Sequence, residues 1–325
     1  MKNRFRLSAE LYLGLFLLAI LLFLLVFAPS FFSLNNTMSM LNRFSYVLIA
    51  AIGMNMIIIT SNIDVSAGGL ISVVCLALAA LGKLDLGLAV LLPMAMLIGA
   101  ALGLINALFI TKFKIPAIVA TLATAQLFSG ILPLVVEGSI YDLPASFTWL
   151  AFEAKIFGII PGSVLIMAII TSCSLWFMKY SRFSKKIYAV GNNTEAARLS
   201  GINVDAVVIV TYVIAGTLFG ISGTIITTAS QRVTTTMGTG LEMIFIAAVV
   251  LGGTSVSGGS GKLLGTVFGA AILSVIAPAI NYLGISSDWS DTIMGAIIIV
   301  AVIVSALRLG ELRSAASGDT AAGGV

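Results

Sequence analysis

The chain of 325 residues contains no histidine, only two cysteines and little charge: Asp, Glu, Lys and Arg together make up 9% of it. An ordinary soluble domain carries about 25%. The missing imidazole removes Ser–His triads, histidine general bases and histidine-ligated zinc in one step. Cys75 and Cys173 lie far apart in separate apolar runs, and read as small lipid- or core-facing hydrophobes rather than as a disulfide. So few charges cannot solvate the surface of a soluble fold of this size.

What fills the sequence instead is apolar. Hydrophobic residues make up 59% of it, with a mean hydropathy of +1.14. Apolar segments lie at 11–28, 44–60, 68–82, 86–110, 115–136, 157–178, 205–228, 240–252, 263–280 and 292–307. At about 20 residues per crossing, they predict an all-α, polytopic integral membrane protein of about ten transmembrane helices. Lys2, Arg4 and Arg6 precede the first run. That run, Leu11–Ala28, exceeds the usual signal-peptide core of about 7–15 residues, and no A-x-A-like cleavage site follows it. It reads as the first span. Residues 1–310 are expected to form one transmembrane domain, and the small, Gly/Ala-rich 311–325 a disordered tail.

The net charge of +4 is scattered between apolar segments, so it carries topology rather than affinity for nucleic acid. With the N-terminus in the cytoplasm and sides alternating, thirteen of the 17 basic residues fall inside; Arg43, Lys83, Lys155 and Arg232 fall outside. Lys and Arg are retained on the cytoplasmic side, so both termini are placed there. An outer connection near 137–156 carries an aromatic stretch, Phe147 to Phe152. It suits either an interfacial anchor or a cover over the mouth of a pathway.

The inner loop at 179–204 has more design than a connector requires. Thr194-Glu195-Ala196-Ala197-Arg198-Leu199-Ser200 is rich in helix formers, with Asn192 placed to cap its start and Glu195 three residues later as in a capping box. Gly201 stands where a left-handed residue would stop the helix, and Glu195 and Arg198 can pair on its surface. A plain connector remains one reading. A short helix that fits a partner's groove is the other.

Asn55, Thr60, Ser61, Asn62, Asp64 and Ser66 cluster at the break between the second and third spans. Non-helical backbone at membrane depth must be buried or line a wet cavity, so Asp64 is either a pathway residue or a cap for the helix starting near Ser66. Glu242 opens the short span at 240–252; it is either an acid favoured at a helix N-terminus or a solute contact. Thr121, Thr224, Thr228 and Thr254 extend the neutral polar set. Neutral groups outnumber charges along this candidate pathway, which suits an uncharged, hydroxyl-rich solute.

Two decoys fail on detail. Gly252–Gly261 lacks the first glycine and the Ser/Thr of a phosphate loop. Gly220-Ile221-Ser222-Gly223 matches an intramembrane serine protease motif, but no base exists to activate the serine; close helix packing is the better reading. Val65-Ser66-Ala67-Gly68-Gly69 and Val256-Ser257-Gly258-Gly259 echo one another weakly, as two related half-modules would.

Glu195-Ala196-Ala197-x-x-x-Gly201 resembles the EAA-type loop of ABC importer permeases. Three further stretches resemble sugar permeases of the ribose type, in the superfamily of branched-chain amino acid and sugar permeases: Ser61 to Gly68, Gly103 through Leu122, and Ala247 to Gly261. Asn62, Ala67 and Ala107 depart from that pattern. The resemblance implies the membrane-spanning permease of an ATP-driven importer for a sugar or sugar-like solute, sited in the bacterial cytoplasmic membrane. It implies no covalent chemistry, cofactor or metal in this chain. It also implies three kinds of partner: a separate cytoplasmic ATP-binding subunit, an extracytoplasmic solute-binding protein, and a second copy or a similar permease subunit. Gly191, Asn192, Glu195, Ala196, Ala197, Arg198, Leu199 and Gly201 would couple to the ATPase. The alternative is an ion-coupled secondary transporter, for which Asp64 and Glu242 are the available charge carriers.

Overall fold

The computed structural model describes residues 9–84, 86–135, 160–234 and 236–286, with short pieces at 139–140, 143, 147, 150 and 155–156 and scattered positions between 289 and 299. Seven of the described helices are long and apolar enough to cross a membrane. They are α1 (Ala9–Phe27), α2 (Leu34–Ile59), α4 (Leu88–Thr111), α5 (Ala117–Val135), α6 (Gly162–Tyr180), α9 (Val204–Ser230) and α11 (Leu263–Tyr282). Two shorter apolar helices, α3 (Ala67–Gly82) and α10 (Leu241–Leu251), join the bundle, and the inner loop holds α7 (Arg182–Asn192) and α8 (Thr194–Leu199). The all-α membrane reading stands. Most of the expected segment at 292–307 and all of the tail at 311–325 fall outside the described residues, so the count of ten is not established.

Helix α2 lies at the centre, buried along nearly all of its inner two-thirds and packed by α6, α9, α10 and α11. It begins at Leu34, well before the expected start at 44. Arg43 is therefore not in an outer loop but inside a helix. The polarity of Asn35, Asn36, Ser39, Asn42 and Arg43 hid this first portion. An enclosed helix end can carry such residues where a lipid-facing one cannot.

Backbone contact fixes the crossing of α4 and α9. A methyl group on Gly99 would overlap the Gly216 carbonyl, one on Gly103 the Tyr212 carbonyl, and one on Gly220 the Ala95 carbonyl. Small residues spaced by four let two membrane helices approach this closely, where dispersion rather than the hydrophobic effect holds them. Ser222 on the same helix donates to the Tyr46 carbonyl at 2.9 Å, so the protease-like motif is a packing element.

Hydrogen bonds and ion pairs gather the helix ends at two poles. At one pole lie Glu10, the break at 60–66, the 112–116 turn, α7, α8 and the 252–262 loop. They are tied by Lys262–Glu10 (2.9 Å), Lys114–Asp205 (2.9 Å) and Tyr188 Oη donating to Gly261 O (2.9 Å). The opposite pole holds the edge-to-face pair of Phe31 and Tyr282 and the two-residue ribbon of β1 (Ser139–Ile140) and β4 (Val233–Thr234). β2 (Lys155–Ile156) pairs with β3 (Ile160–Pro161). The alternation read from the basic residues thus recurs in the packing. Phe147 and Leu150 of the outer aromatic stretch are buried in the main core; Trp149 and Phe152 fall outside the described residues.

Candidate functional site: a stitched inner pole and an outer polar cleft

After Ile59 the chain leaves the helix. Thr60 donates back to Ile57 O at 2.7 Å, and Asn62 Nδ2 donates to Thr60 Oγ1 at 3.0 Å. Ser61 adopts a left-handed φ of 61°, a strained conformation for a residue with a side chain. Asp64 is buried, and its Oδ1 accepts from both Ser66 N (2.8 Å) and Ser66 Oγ (2.6 Å). Asp64 thus closes a turn just ahead of α3, whose N-cap residue, Ser66, makes no side-chain cap bond. Asn106 donates to Ser66 Oγ at 2.6 Å and accepts from Thr124 Oγ1 at 2.7 Å. The chain of donors thus runs from α5 through α4 and ends on the Asp64 carboxyl. Thr121 accepts from Val65 N at 3.1 Å and holds the break against α5. Asp64 Oδ2 and the hydroxyl of Tyr212 are both buried without a hydrogen-bond partner. Asn106 lies in the Gly103–Leu122 stretch of the family resemblance, but nothing local marks Thr124 or Tyr212, and the partners of Asn106 come from separate segments.

A second polar bridge joins α2 to the glycine-rich loop. Asn55 Nδ2 donates to Thr254 Oγ1 at 2.7 Å and to Thr266 Oγ1 at 2.9 Å, all three side chains being buried. Thr224 and Thr228 are also buried, and their hydroxyls donate to their own helix, to Gly220 O (3.1 Å) and Ile225 O (2.9 Å). Glu242 is half-buried in the first turn of α10, where a methyl on Gly68 would overlap its carboxylate. The 231–240 segment dips back into the protein beside it, with Ser72 Oγ donating to the Met237 carbonyl. Asn62 is half-buried at the inner pole.

The inner loop departs from expectation by one residue. Asn193, not Asn192, caps α8, accepting from Ala196 N at 3.0 Å, while Asn192 closes α7. Glu195 then falls at the second helical position rather than the third, so no capping box forms. The reason is α7 itself: an amphipathic helix that claims Asn192, with Ile187 and Val190 buried. The other features stand. Glu195 and Arg198 pair at 3.2 Å, and Gly201 has φ 79°. Ala197 turns inward, whereas Ala196 and Leu199 face out, Leu199 with 89% exposure.

At the outer pole a cavity of about 270 Å³ opens between the polar end of α2 and the ends of α9 and α11. Asn36, Ser39, Arg43 and Tyr46 line it from one stripe of α2, facing Ser230 and Pro278. The Arg43 Nε is buried without a partner.

These features have a family. Residues 36–302 match the family described as branched-chain amino acid transport system / permease component, and the chain belongs to it. It is a multi-pass protein of the bacterial cytoplasmic membrane and a transport permease component. Among similar proteins, the ribose import permease protein RbsC of Escherichia coli is 34% identical over 293 residues, covering 89% of this chain and 91% of that one. RbsC of Bacillus subtilis is 35% identical over 299 residues, 90% and 91% of the two chains. The autoinducer 2 import system permease protein LsrC of Yersinia enterocolitica is 32% identical over 300 residues, 92% and 82%. No solved structure matches the chain.

Proposed function

We propose that the chain is the translocating subunit of an ATP-driven importer for a sugar or a sugar-like polar solute. In this reading a separate ATP-binding subunit docks on α8, an extracytoplasmic binding protein delivers solute to the outer pole, and a second copy or a similar subunit completes the pathway. The observation that carries the reading is α8. It is capped at both ends, anchored by one inward alanine, and offers an apolar leucine to the cytoplasm beside the gathered basic loops. An exposed apolar residue on a short, rigid helix suits a partner's groove. The family supports this reading over ion coupling, and the solutes named for the relatives, ribose and autoinducer 2, support a furanose-sized polar cargo.

The pathway residues divide by what they already bind. Asn55, Ser66, Thr121 and Thr254 tie separate segments together through hydrogen bonds already made, and Thr224 and Thr228 spend theirs within their own helix. Asn62, Glu242, the free oxygen of Asp64 and the Arg43 cleft retain capacity for solute. Leu199→Asp tests the docking surface. The side chain touches little of its own chain, so stability should shift by no more than about 0.5 kcal/mol, whereas co-purification of the ATP-binding subunit and ATP-driven uptake should both be lost. Full retention of both would make α8 a connector.

A further inference from the structure

The docking helix is joined by chain to α7 and α9, but its root is not held only by them. Gly191, just before α8, is buried so tightly that a methyl on it would overlap the Ile59 carbonyl at the end of α2. That same carbonyl accepts a hydrogen bond from Gly259 N at 2.9 Å. Gly259 in turn lies against Asn192, where an added Cβ would come within 2.7 Å of its Cα. Ser61 closes the triangle. Its hydroxyl stands 2.9 Å from the Gly191 carbonyl and 2.8 Å from the Ser257 carbonyl. Three segments distant in sequence thus meet with no space for side chains. Gly258 and Gly259 adopt left-handed φ values of 82° and 70° there, and Ser61 accepts a strained one.

We infer that this junction of Ser61, Gly191 and Gly259 is the transmission joint of the permease. Movement of α8 passes sideways through it into α2, and through the 252–262 loop into α10 and α11. The inference rests on the reading of α8 as the ATPase dock. Close-packed contacts have no slack to absorb displacement, and the left-handed φ at Ser61, tolerable only where the surroundings over-determine it, marks a place where the fold gives geometry precedence over comfort. Asn55, one turn further up α2, bonds Thr254 and Thr266, so α2 and the loop move together. Ser61 is a positioning residue in this scheme, not a solute contact.

The test follows α2 against α5, two helices with no large contact between them. Spin labels are placed at Asn35→Cys on the outer end of α2 and Leu134→Cys on that of α5, both exposed. Cys173 is replaced by Ala, and Cys75 is buried. The complex with its ATP-binding subunit is studied in nanodiscs. ATP should shift the label distance in the parent. Ser61→Gly relieves the strained φ while removing the hydroxyl. It should leave complex assembly and melting temperature unchanged, yet reduce the ATP-shifted population about fivefold or more, as expected for the loss of one or two hydrogen bonds. A parent with no shift or a Ser61→Gly shift of full size would each overturn the inference. Failure of the ATP-binding subunit to associate at all would instead remove the permease reading on which it stands.

Discussion

At the scale of single residues, the buried polar groups mostly brace the bundle. Asn55 bridges two threonines across more than half the sequence. Asn55→Ala would leave both threonine oxygens without their donor, and should lower stability by about 1–3 kcal/mol, read as a lower melting temperature in detergent with basal association of the ATP-binding subunit unchanged. Arg43 makes the opposite case, a cation nine residues inside a membrane helix with a bare Nε. Arginine at that depth is found where a cavity or a ligand compensates it. Arg43→Met, which removes the charge but keeps the stem, should spare folding and cut uptake of the labelled sugar that the parent imports about tenfold or more at low solute, by loss of a charge-assisted contact. Tyr188, on α7 outside the spans, donates to Gly261, and burial pushes its phenol above the usual value. The folded state then holds its proton more tightly than the unfolded one. Stability is therefore complete below about pH 10 and falls as pH rises beyond it. Tyr188→Phe should flatten that alkaline slope in melting curves taken from about pH 9 to 11.

At the scale of elements, legibility in the sequence followed the locality of the cause. The break after α2, the αL stop at Gly201 and the Glu195–Arg198 pair arise from neighbours in the chain, and they stood out. The start of α2 did not, because its polar stripe lines a cleft formed with α9 and α11, and hydropathy cannot distinguish a cleft wall from a loop. Helix α7 was hidden for a related reason. Its basic face and buried face alternate within one short amphipathic segment, and missing it displaced the cap of α8 from Asn193 to Asn192. The bonds of Asn106 with Thr124 and Ser66 depend on segments that only the fold brings together. The α4–α9 crossing lies between these extremes: close packing was legible at Gly220 to Gly223, but the partner helix was not. Gly216→Val would drive a branched side chain into the Gly99 carbonyl. It should cost roughly 1–3 kcal/mol or more, seen as aggregation on size exclusion, whereas Gly130→Ala, with open space around it, should behave as the parent.

At the scale of the whole molecule, the two poles carry different chemistry. The inner one is crowded with glycine backbone, basic residues and short helices; the outer one holds the cleft and the two-residue ribbons. Lys185→Cys on a Cys173→Ala background should react with membrane-impermeant maleimide only in inside-out vesicles, and Lys83→Cys only in right-side-out ones. The reverse pattern would invert the topology. The weak echo between Val65–Gly69 and Val256–Gly259 also gains substance here. Each stretch follows a helix running to the inner pole and precedes one running away from it, and the segments around them touch at Ser61 and Ser257.

One consequence of the glycine crossings remains. With Gly53 seated on Ala215, Gly99 on Gly216 and Gly103 under Tyr212, α2, α4 and α9 are fastened like planks nailed through their faces. Such a panel can swing but cannot shear within itself. Rearrangement along its border with α3 and α5 is easier, because Asn106 meets Ser66 and Thr124 there through side chains rather than backbone against backbone.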